Sequence, residues 1–220
     1  MKKNIRKTVC VAVALAVQCA AIGWLIGRYE NIVRNGTEVR FRCEAFDPYD
    51  PLRGRYLRTS VRESCTNIVG VALADDNYWN YRDKFVARLE PSTNGLWRVS
   101  AAALEPQDDG GIWAKPISSR VERSVSWEDR NKDESSADFD KRRAASPFEV
   151  TFTFPDQLFV NERVAPAAER VLREMTNAGK AVAVYRVKGS EIVMTDIEVD
   201  GKSIVSCARE AMSSKPEAMR

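Results

Sequence analysis

Two aspartates and two arginines stand close together in the loop-like sequence Asp47-Pro48-Tyr49-Asp50-Pro51-Leu52-Arg53-Gly54-Arg55-Tyr56. The two carboxylates could serve general acid–base chemistry or hold a metal, and the two guanidinium groups could hold an anion. The same residues also have a structural interpretation, because an aspartate before a proline caps a turn and an arginine can pair with it. Asp-Pro turns account for every residue without catalysis. We therefore predict a binding loop made of Asp47, Asp50, Arg53, Gly54, Arg55 and Tyr56, with no metal.

Other catalytic chemistries are constrained by composition, because the chain of 220 residues contains no histidine. Ser-His-Asp and Cys-His nucleophiles and histidine-ligated zinc are therefore excluded. An enzyme would need Asp47 and Asp50 or a Ser-Lys pair, and we keep an extracytoplasmic hydrolase of this kind as the alternative function. No phosphate-binding glycine motif surrounds Gly110-Gly111, and there is no CxxC sequence, so no cofactor is expected.

The segment that locates the protein is residues 8–27, an uncharged run of 20 residues. As a helix it would span about 30 Å, which is the hydrocarbon thickness of a bilayer. The basic residues Lys2, Lys3, Arg6 and Lys7 precede it, so the positive-inside rule keeps residues 1–7 in the cytoplasm and exports the rest. A cleaved signal peptide is the alternative, but its apolar region is normally about 7–15 residues. We predict a single-pass protein of the inner membrane with a periplasmic or otherwise extracytoplasmic domain.

Charge and cysteine content bound the partners of this exported part. The net charge is +3, and without the four basic residues before the apolar run the chain has 30 basic against 31 acidic residues. This balance gives no reason to expect nucleic-acid binding. Three of the five cysteines, Cys43, Cys65 and Cys207, are in the exported part, and their disulfide pairing is left open.

The hydropathy pattern of the exported part predicts a mostly β, α+β domain: a small barrel- or sandwich-like antiparallel structure with one covering helix, preceded by the single transmembrane helix. Alternating runs at 37–46 and 56–62 predict two strands, and Asn94-Gly95 predicts the turn of a hairpin between 84–89 and 96–103. Further strands are predicted at 149–154, 181–187 and 191–199, and the helix at 165–175. We divide the chain into a linker (28–36), the domain (37–204) with a charged loop (128–146), and a tail (205–220).

The first two strands carry a candidate basic face. Their outward positions hold Arg40, Arg42, Arg58 and Arg62, which would form a patch near the bilayer if the strands pair. The patch could contact anionic lipid head groups or an acidic partner. The alternative is an ordinary solvated sheet face, because Glu38 and Glu44 share it. Cys43 shares the opposite face with Val39 and Phe41 and is predicted to be buried.

The loop sequence, the N-terminal helix and the strand order resemble the GDYXXLXY family of bacterial membrane-anchored proteins. Aligned on Gly54–Val61, the name-giving motif matches at Gly54 and Tyr56, whereas Arg55, Thr59 and Val61 replace its aspartate, leucine and second tyrosine. The resemblance implies an accessory protein with no assigned activity. We therefore expect a non-enzymatic interaction module whose partners are the lipid bilayer and a multi-span membrane protein.

Overall fold

A computed structural model of the chain describes residues 2–45, 56–74, 77–131 and 134–213. It begins with one long helix, α1 (Lys2–Asn35). Within α1, Ala12–Asn35 is long and apolar enough to cross a membrane, as the sequence predicts, and its most apolar stretch makes no buried contact with the rest of the chain. The helix is followed by a mostly β domain whose strand pairs are antiparallel, which confirms the predicted fold class.

The strands form four small sheets, and among the described residues they do not close into a barrel. The sheet orders are β1-β11-β12-β13, β10-β3-β2, β4-β9-β8 and β6-β5-β7. The strand bounds are β1 Thr37–Arg42, β2 Glu44–Ala45, β3 Tyr56–Ser60, β4 Arg62–Cys65, β5 Val86–Pro91, β6 Trp97–Ala103, β7 Ile112–Ala114, β8 Ser118–Arg123, β9 Phe148–Thr153, β10 Gln157–Phe159, β11 Ala181–Lys188, β12 Glu191–Val199 and β13 Lys202–Ser203.

One hydrophobic core joins all four of these sheets to two helices. Val39 and Phe41 on the inward face of β1, and Cys43 directly after the strand, are buried, which confirms the predicted register and the predicted burial of the cysteine. The ring of Phe41 stacks on Phe154 with 5.1 Å between centroids and meets Tyr185 edge-on at 5.9 Å. Such aromatic pairs contribute about 0.5–1.5 kcal/mol beyond the area they bury.

The end of α1 packs directly against the β-rich domain, with no flexible segment between them among the described residues. Ile32 is buried, and the Gly36 amide donates to the Ile32 carbonyl oxygen over 2.8 Å, which ends the helix. A Cβ on Gly36 would lie 2.5 Å from that oxygen, so no larger residue fits without a shift. Arg28 forms a salt bridge with Glu191, and the Lys188 ammonium donates to Asn31 Oδ1 over 2.7 Å. The helix therefore sits directly on the hairpin of β11 and β12.

This junction corrects the predicted linker at 28–36, which is helical up to Asn35. Tyr29, Ile32 and Val33 have the i, i+3, i+4 spacing of one helical face, and that face packs on the sheet. The linker interpretation overlooked this spacing because polar residues outnumber apolar ones in the segment.

The domain contains three α-helices among its described residues, whereas a single covering helix was predicted. The predicted one is present as α3 (Ala165–Asn177), but α4 (Ile204–Ser213) occupies part of the predicted tail and packs on α3 through Ile204 and Ala208. The predicted charged loop contains α2 (Ser136–Ala145), in which Phe139 is fully buried and Ser135 caps the Asp138 amide. One buried aromatic residue and one N-cap hold α2 in place. The sequence did not predict this helix because neither feature produces a periodic apolar pattern.

Candidate functional site

The candidate loop of Asp-Pro turns lies mostly outside the described residues. This applies to Asp47, Asp50, Arg53, Gly54 and Arg55, so their predicted roles remain predictions. Tyr56 is described, and it begins β3 at the point where the chain leaves the loop. The structure therefore fixes where the loop ends on the surface of the domain.

The surface around that point contains an aromatic pair. Tyr56 lies opposite Phe159 in the antiparallel pairing of β3 with β10, and their ring centroids are 6.1 Å apart. Tyr56 is half-buried, whereas Phe159 is 74% exposed. A large aromatic side chain in water at the end of a strand contributes little to stability, so this position is available for contact with another molecule.

A groove of about 450 Å³ runs from Phe159, the exposed member of this aromatic pair, to the helix α1. Its walls are Phe159 and the neighbouring turn, the middle of β12, and the part of α1 just after the uncharged run. The residues that line it are Tyr29, Glu30, Val33, Pro155, Gln157, Leu158, Phe159, Ile192, Val193, Met194 and Thr195. The end of the loop and the end of the apolar helix thus meet at one partly apolar surface.

Three polar contacts hold this surface in place. The Arg58 Nε donates to Asp156 Oδ2 over 2.6 Å, and the Asp156 carbonyl oxygen accepts from the Thr59 amide over 2.9 Å. The Tyr185 hydroxyl donates to the Pro155 carbonyl oxygen over 2.7 Å. Burial raises the pKa of the Tyr185 phenol well above its usual value, so the phenol stays a neutral donor. The turn that carries Phe159 is therefore fixed to β3 on one side and to the core on the other.

The four arginines of the predicted basic face lie on three strands, β1, β3 and β4. The runs at 37–46 and 56–62 meet only through the short strand β2, and β1 pairs instead with β11. Arg40 is bound to Glu38 over 2.9 Å and to Glu198 over 3.3 Å, and Arg58 is bound to Asp156. Arg42 and Arg62 are exposed on separate strands. Arg40 and Arg58 are therefore ion-paired, and the binding role of the four arginines stays a prediction.

Comparison with known proteins identifies the family. The family model for the GDYXXLXY protein matches residues 18–194, which is most of the chain. The chain belongs to the GDYXXLXY family. No curated protein and no solved structure matches it.

Two positions at which this chain departs from the motif of the GDYXXLXY family lie in the interior of the domain. Thr59 and Val61 stand where the motif has leucine and tyrosine, and both are buried in the core. Among the residues that the structure describes, the Thr59 hydroxyl has no hydrogen-bond partner. These two motif positions therefore pack the interior, whereas Tyr56 contacts Phe159 at the edge of the candidate surface.

Metal ligands and thiol groups were the other candidates for chemistry in this domain. Within the described ranges, no group of three or more aspartate, glutamate or cysteine side chains is arranged to hold a metal ion. Among the described residues, Cys65 and Cys207 are free thiols, and burial raises the pKa of the Cys65 thiol to about 11. A thiol with a raised pKa is a poor nucleophile at neutral pH.

Neither the exposure of Phe159 nor the groove beside it is apparent from the sequence. The residue types give no signal, because a phenylalanine at the end of a strand has the same pattern whether it is buried or exposed. The groove is assembled from segments near positions 30, 158 and 193, which are distant in sequence. In the structure, this surface is recognised by the exposed ring of Phe159, which lies three residues after Asp156 and its ion pair with Arg58.

Proposed function

We propose that this GDYXXLXY protein is a single-pass membrane protein whose extracytoplasmic domain binds a multi-span membrane protein as an accessory subunit. The binding surface in this proposal is the groove beside Phe159 and Tyr56, together with the loop that ends at Tyr56. Residues 1–7 are on the cytoplasmic side of the inner membrane, because four basic residues precede the apolar run and Arg28 alone follows it closely.

The observation that carries the proposal is the location of the exposed Phe159. Val33, on the opposite wall of its groove, follows the end of the uncharged run at Gly27 by six residues, or about 9 Å of helix. This distance exceeds the head-group layer of a leaflet, which is about 5–7 Å thick. A protein that emerges beside α1 would meet this groove just above the lipid, and exposed aromatic residues are enriched at protein interfaces.

Site-specific photocrosslinking in native membranes tests the proposal. A photoreactive phenylalanine analogue replaces Phe159 in the full chain, and the matched control replaces Trp79, an aromatic residue that is 57% exposed on a different part of the domain. We expect the probe at position 159 to form a covalent adduct with one multi-span membrane protein, identified by mass spectrometry. The probe at position 79 should not form that adduct.

A second variant separates binding from folding. Phe159→Ser removes an exposed side chain whose aromatic contact is with Tyr56, so we expect the free energy of unfolding to fall by no more than about 1.5 kcal/mol while co-purification of the crosslinked protein falls at least fivefold. Recovery of the chain alone at both probe positions would refute the accessory function. A hydrolytic activity that is lost in Asp47→Asn and Asp50→Asn, with no adduct at position 159, would instead support the hydrolase.

A further inference from the structure

The opposite flank of α1 holds a second groove, of about 380 Å³, that reaches lower along the helix than the groove beside Phe159. One of its walls is Leu25, which belongs to the uncharged run, and the wall continues upward through Arg28, Tyr29 and Ile32. The facing wall consists of Lys115, Pro116, Glu191, Ile192 and Val193. The groove therefore extends across the level at which the hydrocarbon of the bilayer ends.

The depth of the surrounding residues follows from their contacts with α1. A helix rises 1.5 Å per residue, so Arg28 and Asn31 lie within about 6 Å of the end of the uncharged run, inside a head-group layer of about 5–7 Å. Arg28 binds Glu191 and Asn31 binds Lys188, which places the β11–β12 turn at this depth. The Lys115 amide donates to the Ser190 carbonyl oxygen over 2.7 Å and brings residues 115–117 to the same level.

We propose that the β11–β12 turn and residues 115–117 form a lipid-binding edge that binds anionic phospholipid in the leaflet from which the domain emerges. The phosphate of the lipid contacts Lys115 and Lys188, and an acyl chain lies along Leu25, below Arg28. The side chain of Ile117 inserts into the head-group layer. This inference rests on the membrane insertion of α1 and does not require a protein partner.

Charge and apolar exposure both favour this occupant. The edge has three cations, Arg28, Lys115 and Lys188, against the single carboxylate of Glu191. Lys115 and Lys188 are exposed, and Lys188 contacts a neutral amide rather than a carboxylate. Ile117 is 61% exposed, immediately after a proline that lines the groove. An apolar side chain flanked by lysines is the arrangement that binds an anionic membrane surface.

Photocrosslinking to lipid tests the edge with the full chain in nanodiscs made of equal parts phosphatidylglycerol and phosphatidylcholine. A photoreactive residue replaces Ile117, and the control replaces Asp200, which is exposed in the turn at the other end of β12. Nine residues of strand separate that turn from the edge, or roughly 27 Å. We expect phospholipid adducts at position 117, enriched in phosphatidylglycerol, and none at position 200.

The lysines are tested by a matched pair of double variants. Lys115→Gln with Lys188→Gln should lower the ratio of phosphatidylglycerol to phosphatidylcholine adducts by about fivefold for each lysine, which corresponds to about 1 kcal/mol each. Lys180→Gln with Lys202→Gln removes the same charge from exposed positions near the far end of β12 and should leave the ratio unchanged.

Three results would overturn the lipid-binding edge. The first is a chain that resists alkaline extraction from membranes, and is therefore inserted, but gives no lipid adduct at position 117. The second is a position-117 adduct only with a protein in native membranes, which would make this edge a protein interface. Release of the chain by alkaline extraction would refute the membrane insertion itself, and with it the orientation proposed above.

Discussion

Arg58 Nε lies 2.6 Å from Asp156 Oδ2 and joins β3, which leads out of the motif loop, to the turn that carries Phe159. The two side chains are only about one-third and one-fifth exposed, so water screens this pair less than an ordinary surface pair. We expect a double-mutant cycle of Arg58→Ala and Asp156→Ala to give a coupling energy of about 1 kcal/mol. Urea unfolding of the micelle-solubilised full chain measures it.

The control for this cycle is the pair of Arg120 and Glu122, whose side chains are both more than half exposed at 3.4 Å. Its coupling energy should be near zero to 0.5 kcal/mol. Equal coupling energies for the two pairs would show that Arg58 and Asp156 do not fix the Phe159 turn.

Replacing Thr59 by valine should stabilise the protein. The Thr59 hydroxyl is buried without a partner among the described residues, at a position where the family motif has leucine. Valine has the same shape and removes the cost of desolvating the hydroxyl, so we expect the free energy of unfolding to rise by about 1 kcal/mol. The matched control is Thr195→Val, because the Thr195 hydroxyl donates to the Val184 carbonyl oxygen. A loss of stability in Thr59→Val would show that the hydroxyl has a partner.

Removing the Tyr185 hydroxyl should destabilise the core beneath the groove. In Tyr185→Phe the Pro155 carbonyl oxygen loses the donor that lies 2.7 Å away, and we expect a loss of about 1–2 kcal/mol in the free energy of unfolding. Tyr81→Phe is the comparison, since Tyr81 is half-buried and packs on Phe85. The thermal midpoints of both variants measure the difference, and an unchanged midpoint for Tyr185→Phe would contradict the contact.

Glu63 should make stability depend on pH. Burial raises the pKa of its carboxyl, and a backbone hydrogen bond with Val99 offsets this only in part. A raised pKa means that the folded state favours the protonated form. The contribution of Glu63 to stability is therefore fully present below pH 4.5, its unfolded value, and is lost as the pH rises through the folded pKa.

Glu63→Gln should accordingly be more stable than the wild-type protein at pH 7, and the advantage should shrink towards pH 4. Glu122→Gln, at the exposed next-to-last position of the β8–β9 pairing, should show neither effect. Urea midpoints at pH 4, 5.5 and 7 make the comparison. An advantage of the same size at all three values would show that burial does not affect the ionisation of Glu63.

Much of the fold could be predicted because its signals are local. Alternation predicted the buried face of β1, Asn94-Gly95 predicted the β5–β6 hairpin, and Gly189 lies in the predicted loop between β11 and β12. The pairing of β1 with β11 could not be predicted, because its partners, such as Val39 and Tyr185, are far apart in sequence. The same is true of the candidate site, where Tyr56 could be identified from the motif but its neighbour Phe159 could not.

The unbroken passage of α1 into the sheet also has a mechanical meaning. Gly36 leaves no room for a hinge, because its amide is bound to Ile32 and its Cα faces Arg186 and Val187. The domain must then tilt together with the helix as one rigid body. A transmembrane helix tilts by about 20° on average. Over the roughly 27 Å length of β12, that tilt moves the far end of the domain sideways by about 9 Å. In the membrane topology proposed above, bilayer thickness, which governs helix tilt, would set how far the domain leans from the bilayer normal.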